Sequence, residues 1–118
     1  MSTQEVANRL YELCQKGDYK TIQEELFTEN ATSTESNMHG QRETASGMEA
    51  IREKGKKFNE NLEEMHGGYT KEPHVYGNYI FMEMGMDATM KGMGRLNMKE
   101  MCKYEVRDGK IISEEFFY

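Results

Sequence analysis

Residues Leu26–Ser36 read LFTENATSTES, and this stretch decides the fold. Leu26 completes the apolar face of a helix. From Ala31 to Ser36, small and β-branched residues replace helix formers, so the chain passes from helix to short strand. Glu35 then stands near the end of that strand, where a strand would meet the mouth of a pocket. Upstream, Ser2 and Glu5 have the spacing of a capping box, and Val6, Leu10, Leu13 and Cys14 form one stripe. Gly17 stops that helix, and Asp18 caps a second whose inner face carries Tyr19, Ile22 and Leu26.

Downstream, Asn37 to Thr44 is polar and predicts a loop. Ser46 with Glu49 predicts a second capping box, opening the longest helix. Its apolar positions Met48, Ile51, Phe58, Leu62 and Met65 keep helical spacing, and His66-Gly67-Gly68 ends it. Lys54, Lys56 and Lys57 on this helix read as a solvated face. The rest predicts strand. Tyr69–Tyr76 and Tyr79–Met90 flank the turn Gly77-Asn78, with Pro73 marking an edge or a bulge. Arg95–Val106 and Lys110–Tyr118 flank Asp108-Gly109, a strong hairpin signal. The expected architecture is α+β: two helices, a long helix, then an antiparallel meander joined by the early strand.

Composition narrows the possible roles. A chain of 118 residues predicts a single domain, 1–118, able to build its own core without disulfide or metal. Its net charge of −6 argues against nucleic acid or an anionic membrane as partner. No apolar run reaches the ~20 residues of a membrane span, and the N-terminus lacks a signal-peptide pattern, which predicts a cytoplasmic protein. Cys14 and Cys102 follow no metal or redox spacing and read as reduced, buried side chains. His39, His66 and His74 fit no ligand spacing, so neither a metal nor a cofactor is expected. Nucleophilic triads and phosphate-cradling glycine loops are absent from the sequence.

A two-residue turn at Asp108-Gly109 pairs Val106 with Ile111, Tyr104 with Ser113, Cys102 with Glu115 and Glu100 with Phe117. On that register Glu100, Cys102 and Tyr104 face the helices. Met101, Ile112, Phe116 and Tyr118 would share the outer face with a Lys103–Glu114 pair, a surface suited to a homodimer. In the earlier hairpin, Val75, Ile80, Met82, Met84 and Met86 form the inward face. Alternating methionines of this kind also suit copper(I), but the period of two points to packing on one side of a strand.

The order of these elements resembles the nuclear-transport-factor-two-like superfamily, in its SnoaL-like branch of polyketide cyclases and ketosteroid isomerases. The resemblance rests on Gly17-Asp18, LFTENATSTE, SGMEAIRE and YEVRDGKIISEEFFY, and spans nearly the whole chain. It implies a cone-shaped curved antiparallel sheet around the N-terminal helices and one long helix, a cystatin-like α+β roll. It also implies a deep apolar cavity and, usually, a dimer. Glu35 falls at the place of the isomerases' general base. Their oxyanion tyrosine aligns with Leu10, with Tyr11 the next residue, and the choice between the two stays open. Their second oxyanion donor falls near Met101 or Cys102, neither of which can serve, so the resemblance argues against steroid isomerisation.

The candidate catalytic residues are therefore Glu35 as proton-transfer group, with Glu100 and Tyr104 as hydrogen-bonding groups for developing charge. Glu100, inward between Met98 and Cys102, needs a partner such as Arg42, Arg52, His66, Tyr104 or a ligand. The candidate lining is His66, Met82, Met84, Met86, Cys102, Tyr11 and Phe58. Two functions compete. One is a cofactor-free cavity protein that binds or transforms a small apolar molecule. The other is a non-catalytic dimeric module whose cavity is filled by its own methionines.

Overall fold

The computed structural model describes residues 1–37 and 39–118. Helix α1 (Thr3–Lys16) opens on a complete capping box. The Glu5 N–H donates to the Ser2 hydroxyl at 3.1 Å, and the Ser2 N–H donates to the Glu5 carboxylate at 3.0 Å. Gly17 ends the helix at φ 68°, a left-handed conformation that suits glycine. Asp18 caps α2 (Tyr19–Leu26) by accepting the Thr21 N–H at 3.2 Å. The two helices bury Leu10, Leu13, Ile22 and Leu26, each contributing on the order of 1.5–3 kcal/mol.

Strand β1 (Phe27–Ser36) follows α2 with no loop and starts at Phe27 rather than Ala31. The expected loop at Asn37–Thr44 is shorter than the sequence suggests. Strand β2 (Arg42–Ser46) pairs antiparallel with β1, with Glu35 opposite Glu43. Only Ala45 of β2 is even half-buried, so the strand carries no alternation to read. Met38, within the expected loop, lies outside the described residues.

The Ser46–Glu49 capping box does not form. Ser46 stays in β2, and Gly47 at φ 89° is the cap of helix α3 (Met48–Asn61), its N–H donating to the Ala31 carbonyl at 2.8 Å. Nor does α3 continue to Met65. Residues Leu62–Thr70 form strand β3, whose pairing with the later strand supplies hydrogen bonds that one more helical turn would have supplied. Pro73 separates β3 from the short β4 (His74–Tyr76), and both pieces pair with β5 (Tyr79–Met90).

Strands β6 (Gly94–Arg107) and β7 (Lys110–Phe117) complete a curved sheet in the order β2-β1-β7-β6-β5-β3, with β4 also beside β5. All pairings are antiparallel except β1–β7, so the sheet is mixed where a purely antiparallel one was expected. The parallel pair is possible because almost the whole chain lies between these two strands.

The turn at Asp108-Gly109 forms as expected, with φ of 51° and 76°. Val106 opposes Ile111, but the register then shifts. Glu105 opposes Ser113, Tyr104 opposes Glu114, Cys102 opposes Phe116 and Met101 opposes Phe117. Ile112 is the extra residue of a bulge. One extra residue reverses which side chains face inward beyond it. The expected Lys103–Glu114 pair is thereby replaced by Lys103 opposite Glu115. Glu114 and Phe116, assigned from the sequence to the outer face, join Tyr104 and Cys102 on the inner one.

Candidate functional site

Neighbouring strands set side chains about 5 Å apart in rows across the concave face. One row runs from Ser33 on β1 through Glu114 on β7 and Tyr104 on β6 to Ile80 on β5. The next holds Phe116, Cys102 and Met82, with Glu35 following Ser33 on the inward side of β1. Beyond them Glu100 opposes Met84, and Met98 opposes Met86.

Helix α3 closes over these rows through Lys54. Its ammonium donates to the Ser33 hydroxyl at 2.6 Å, lies 3.5 Å from Glu35 Oε1, and sits 5.5 Å from the centre of the Phe116 ring. Ser33 is fully buried. The expected solvated lysine is instead the cation of the site. A signal existed: Lys54 lies three residues after Ile51 and four before Phe58, on the inner stripe. Lys54 thus neutralises Glu35, while Glu100 and Glu114 have no salt-bridge partner among the described residues.

Those two carboxyls are electrostatically displaced. Burial pushes Glu114 up to about 7, and the charges of Glu100 and Glu35 add to that; Ser33 and Lys54 oppose it. Glu114 keeps some exposed surface, yet at the bottom of a concavity protein surrounds it on most sides, so desolvation dominates. Glu100 is raised by burial and by Glu35, and held back by Cys102 and Lys54. Its nearest donor is the Cys102 thiol at 3.8 Å. Burial also raises Cys102, Cys14 to about 11, and Tyr104 well above the usual phenol range. Both cysteines are free and buried. They behave as small hydrophobes rather than nucleophiles.

The structure gathers some of the sequence candidates and separates others. Glu35, Glu100, Tyr104, Cys102, Met82, Met84 and Met86 share the concave face. Tyr104 is 4% exposed, with its hydroxyl beside the Cys102 thiol. Met82 is core, whereas Met84 and Met86 are half-buried. Leu10 takes the inward position on α1, and Tyr11 packs half-buried beside the core. Phe58 is exposed, one turn beyond Lys54. His66 is not at the concave rim: it bonds Thr89 Oγ1 at 2.7 Å and lies 3.3 Å from Glu64. Thr89 alternates with the inward Ala88 and Met90, so this pair belongs to the other side of the sheet.

Arg42 and His66, two of the partners expected for Glu100, are engaged elsewhere. Arg42 bonds Glu115 at 2.9 Å, the Phe116 carbonyl at 2.9 Å and the Ser36 hydroxyl at 3.0 Å. Two shallow depressions lie at the surface. One borders Ser46, Glu49, Ala50 and Glu53; the other, about 200 Å³, borders Glu83, Lys99, Glu100, Met101 and Phe117. Among the described residues no three His, Cys, Asp or Glu side chains are grouped to hold a metal ion. Nor is any described helix long and apolar enough to cross a membrane.

A curved mixed sheet closed by helices, with acids on its concave side, defines the nuclear-transport-factor-two-like, cystatin-like class. Within it, this chain belongs to the SnoaL-like domain family, whose model matches residues 1–118. A Mesorhizobium loti structure, described as a candidate SnoaL-like polyketide cyclase and as a carbohydrate phosphatase, is 34% identical over 100% of both chains, with a TM-score of 0.91. A Catenulispora acidiphila protein of ketosteroid isomerase-like fold, in complex with trimethylamine, is 19% identical over 79% of this chain and 69% of that one, at a TM-score of 0.65. TerC co-crystallised with polyporic acid is 16% identical, covering 98% of this chain and 90% of that one at a TM-score of 0.74. No curated protein matches the chain.

Proposed function

We propose that the concave face binds a small molecule with a largely apolar body and moves a proton on it without a cofactor. The observation that carries this reading is the placement of Glu35, Glu100 and Glu114 on one face of the sheet, with Lys54 engaging Glu35 alone. Burial raises Glu100 and Glu114, and a raised carboxyl can hold a proton to give as an acid. Glu35 is the proton-transfer group, and Glu100 and Tyr104 hydrogen-bond the charge that develops. Met84 and Met86 line the apolar part. Relatives of the same fold hold trimethylamine and polyporic acid, which supports a small-molecule site.

The test is deuterium incorporation beside the carbonyl of simple ketones, followed by NMR in heavy water. Acceleration by the protein, lost in Glu35→Gln, supports the reading. No acceleration, or full activity in Glu35→Gln, removes Glu35 from the mechanism.

A second reading, a non-catalytic binding module, draws on Met82 being core and on the shallowness of the depressions. In either case the outer sheet face, where Met101 is 41% and Phe117 45% exposed, is the proposed homodimer surface and the proposed compartment is the cytoplasm. Sedimentation of a species at twice the 13.8 kDa chain mass supports the dimer, and a monomer at all concentrations contradicts it.

A further inference from the structure

The side of the sheet turned away from the concave rows carries a group that the proposed function does not use. His66 on β3 stands between two oxygen atoms. Its Nε2 lies 2.7 Å from the Thr89 hydroxyl on β5, and its Nδ1 lies 3.3 Å from the Glu64 carboxylate. An ionised carboxylate only accepts, so Glu64 favours the imidazole proton on Nδ1. Nε2 is then bare and accepts the proton of the Thr89 hydroxyl. A hydroxyl, an imidazole and a carboxylate in this order are the arrangement that activates an alcohol as a nucleophile.

No linear motif announces the group, because the sheet register assembles it. Glu64 opposes Thr89, Met65 opposes Ala88 and Gly67 opposes Asp87, so His66 is the extra residue of a bulge. A bulge re-aims its side chain, and this one reaches both members of the Glu64–Thr89 pair. The surface beside it is open. Gly67 follows His66, and a Cβ there would meet no atom within 4 Å beyond its chain neighbours, which leaves room next to the imidazole. From the next strand, Arg95 stands directly opposite Thr89. Asp87 holds its guanidinium through Nε at 3.0 Å and Nη2 at 2.8 Å, leaving Nη1 without a partner among the described residues. Side chains opposite one another are about 5 Å apart, so that donor is within reach of an oxygen on a group bonded to Thr89.

We propose that Glu64, His66 and Thr89 form an acyl-transfer site, with Thr89 as the nucleophile toward a small activated ester. His66 takes the Thr89 proton as Oγ1 bonds to the ester carbonyl carbon. Arg95 stabilises the oxyanion of the tetrahedral intermediate. Its collapse breaks the ester C–O bond, and the alcohol leaves with the proton from His66. Water then attacks the Thr89 ester by the same route, releasing the acid and restoring the hydroxyl. Glu64 touches no substrate and is a positioning residue, acting through His66. Thr89 lies six residues along β5 from Glu83, the partner of Met101, and so about 20 Å from the proposed dimer contact.

The probe is p-nitrophenyl acetate, with release of p-nitrophenolate followed by absorbance and the acyl group located by mass spectrometry of peptides. An acetyl group should appear on Thr89. His66→Gln should slow release about a hundredfold, the low end of what general-base assistance contributes. Thr89→Val should abolish the acetyl-threonine, and Thr89→Ser should retain activity, which separates loss of the nucleophile from loss of the fold. Glu64→Gln should lower kcat at unchanged KM, and Glu64→Asp should restore part of it. Long-range nitrogen–proton NMR should place the His66 proton on Nδ1 in the wild type and shift it toward Nε2 in Glu64→Gln. Acetylation confined to lysines and the N-terminus, equal release by the wild type and Thr89→Val, or a wild-type His66 proton on Nε2 overturns the proposal.

Discussion

Glu114 on β7 lies in register with Ser33 on β1, whose buried hydroxyl accepts a hydrogen bond from Lys54 at 2.6 Å. This relationship puts a carboxyl inside the sheet's curvature, beside a lysine that is committed to another acid. It exists only because Ile112 bulges from the β6–β7 pair and turns Glu114 inward.

The pH dependence of stability follows from that placement. A carboxyl raised from 4.5 to about 7 binds more protons in the folded than in the unfolded chain between those values. Its stabilising contribution is complete below about 4.5 and is lost as pH rises through about 7. Urea midpoints should therefore fall over this window in the wild type, and fall less in Glu114→Gln. Identical profiles for the two proteins would contradict the assignment.

Lys54→Met keeps the length of the side chain but removes the ammonium from Ser33 and Glu35. Losing the hydrogen bond to the buried Ser33 hydroxyl and the ion pair with Glu35 should lower stability by about 1–3 kcal/mol. The same change withdraws a charge that holds Glu114 down, so that carboxyl should titrate still higher. Urea denaturation and a carboxyl titration check the two effects. A variant as stable as the wild type would place Lys54 in solvent.

Gly85→Ala tests a contact on the opposite side of the sheet. The Tyr69 ring lies against Gly85, where an added Cβ would overlap it, and its hydroxyl donates to Glu83 at 2.6 Å. The substitution should drive the ring off and break that bond, destabilising by about 1 kcal/mol. A double variant with Tyr69→Phe should cost little beyond Gly85→Ala alone; full additivity would mean the ring never left.

The helices and hairpin turns were legible because their signals are local. Ser2, Gly17, Asp18 and Asp108-Gly109 each fix a cap or turn through their own chemistry, and each does so in the structure. What failed depended on distant partners. Leu62 and Met65 continue the spacing of α3, but β5 pairs their backbone and draws them into β3. Arg42–Ser46 lacks alternation because it is an exposed edge strand. Most of the site's placement turned on Ile112. The turn sets the register only up to the bulge, and nothing local in KIISEEFF marks which residue will be skipped. Glu114 and Phe116 were consequently read outward, and Lys54 was grouped with its charged neighbours instead of with Ile51 and Phe58.

The account stands on acids held away from water within the sheet's curve, and carbon-13 NMR titration of the glutamate side-chain carboxyls tests this most directly. It predicts a Glu114 midpoint of about 7 and a Glu100 midpoint above the ordinary carboxyl range. Midpoints for both within that ordinary range would contradict it.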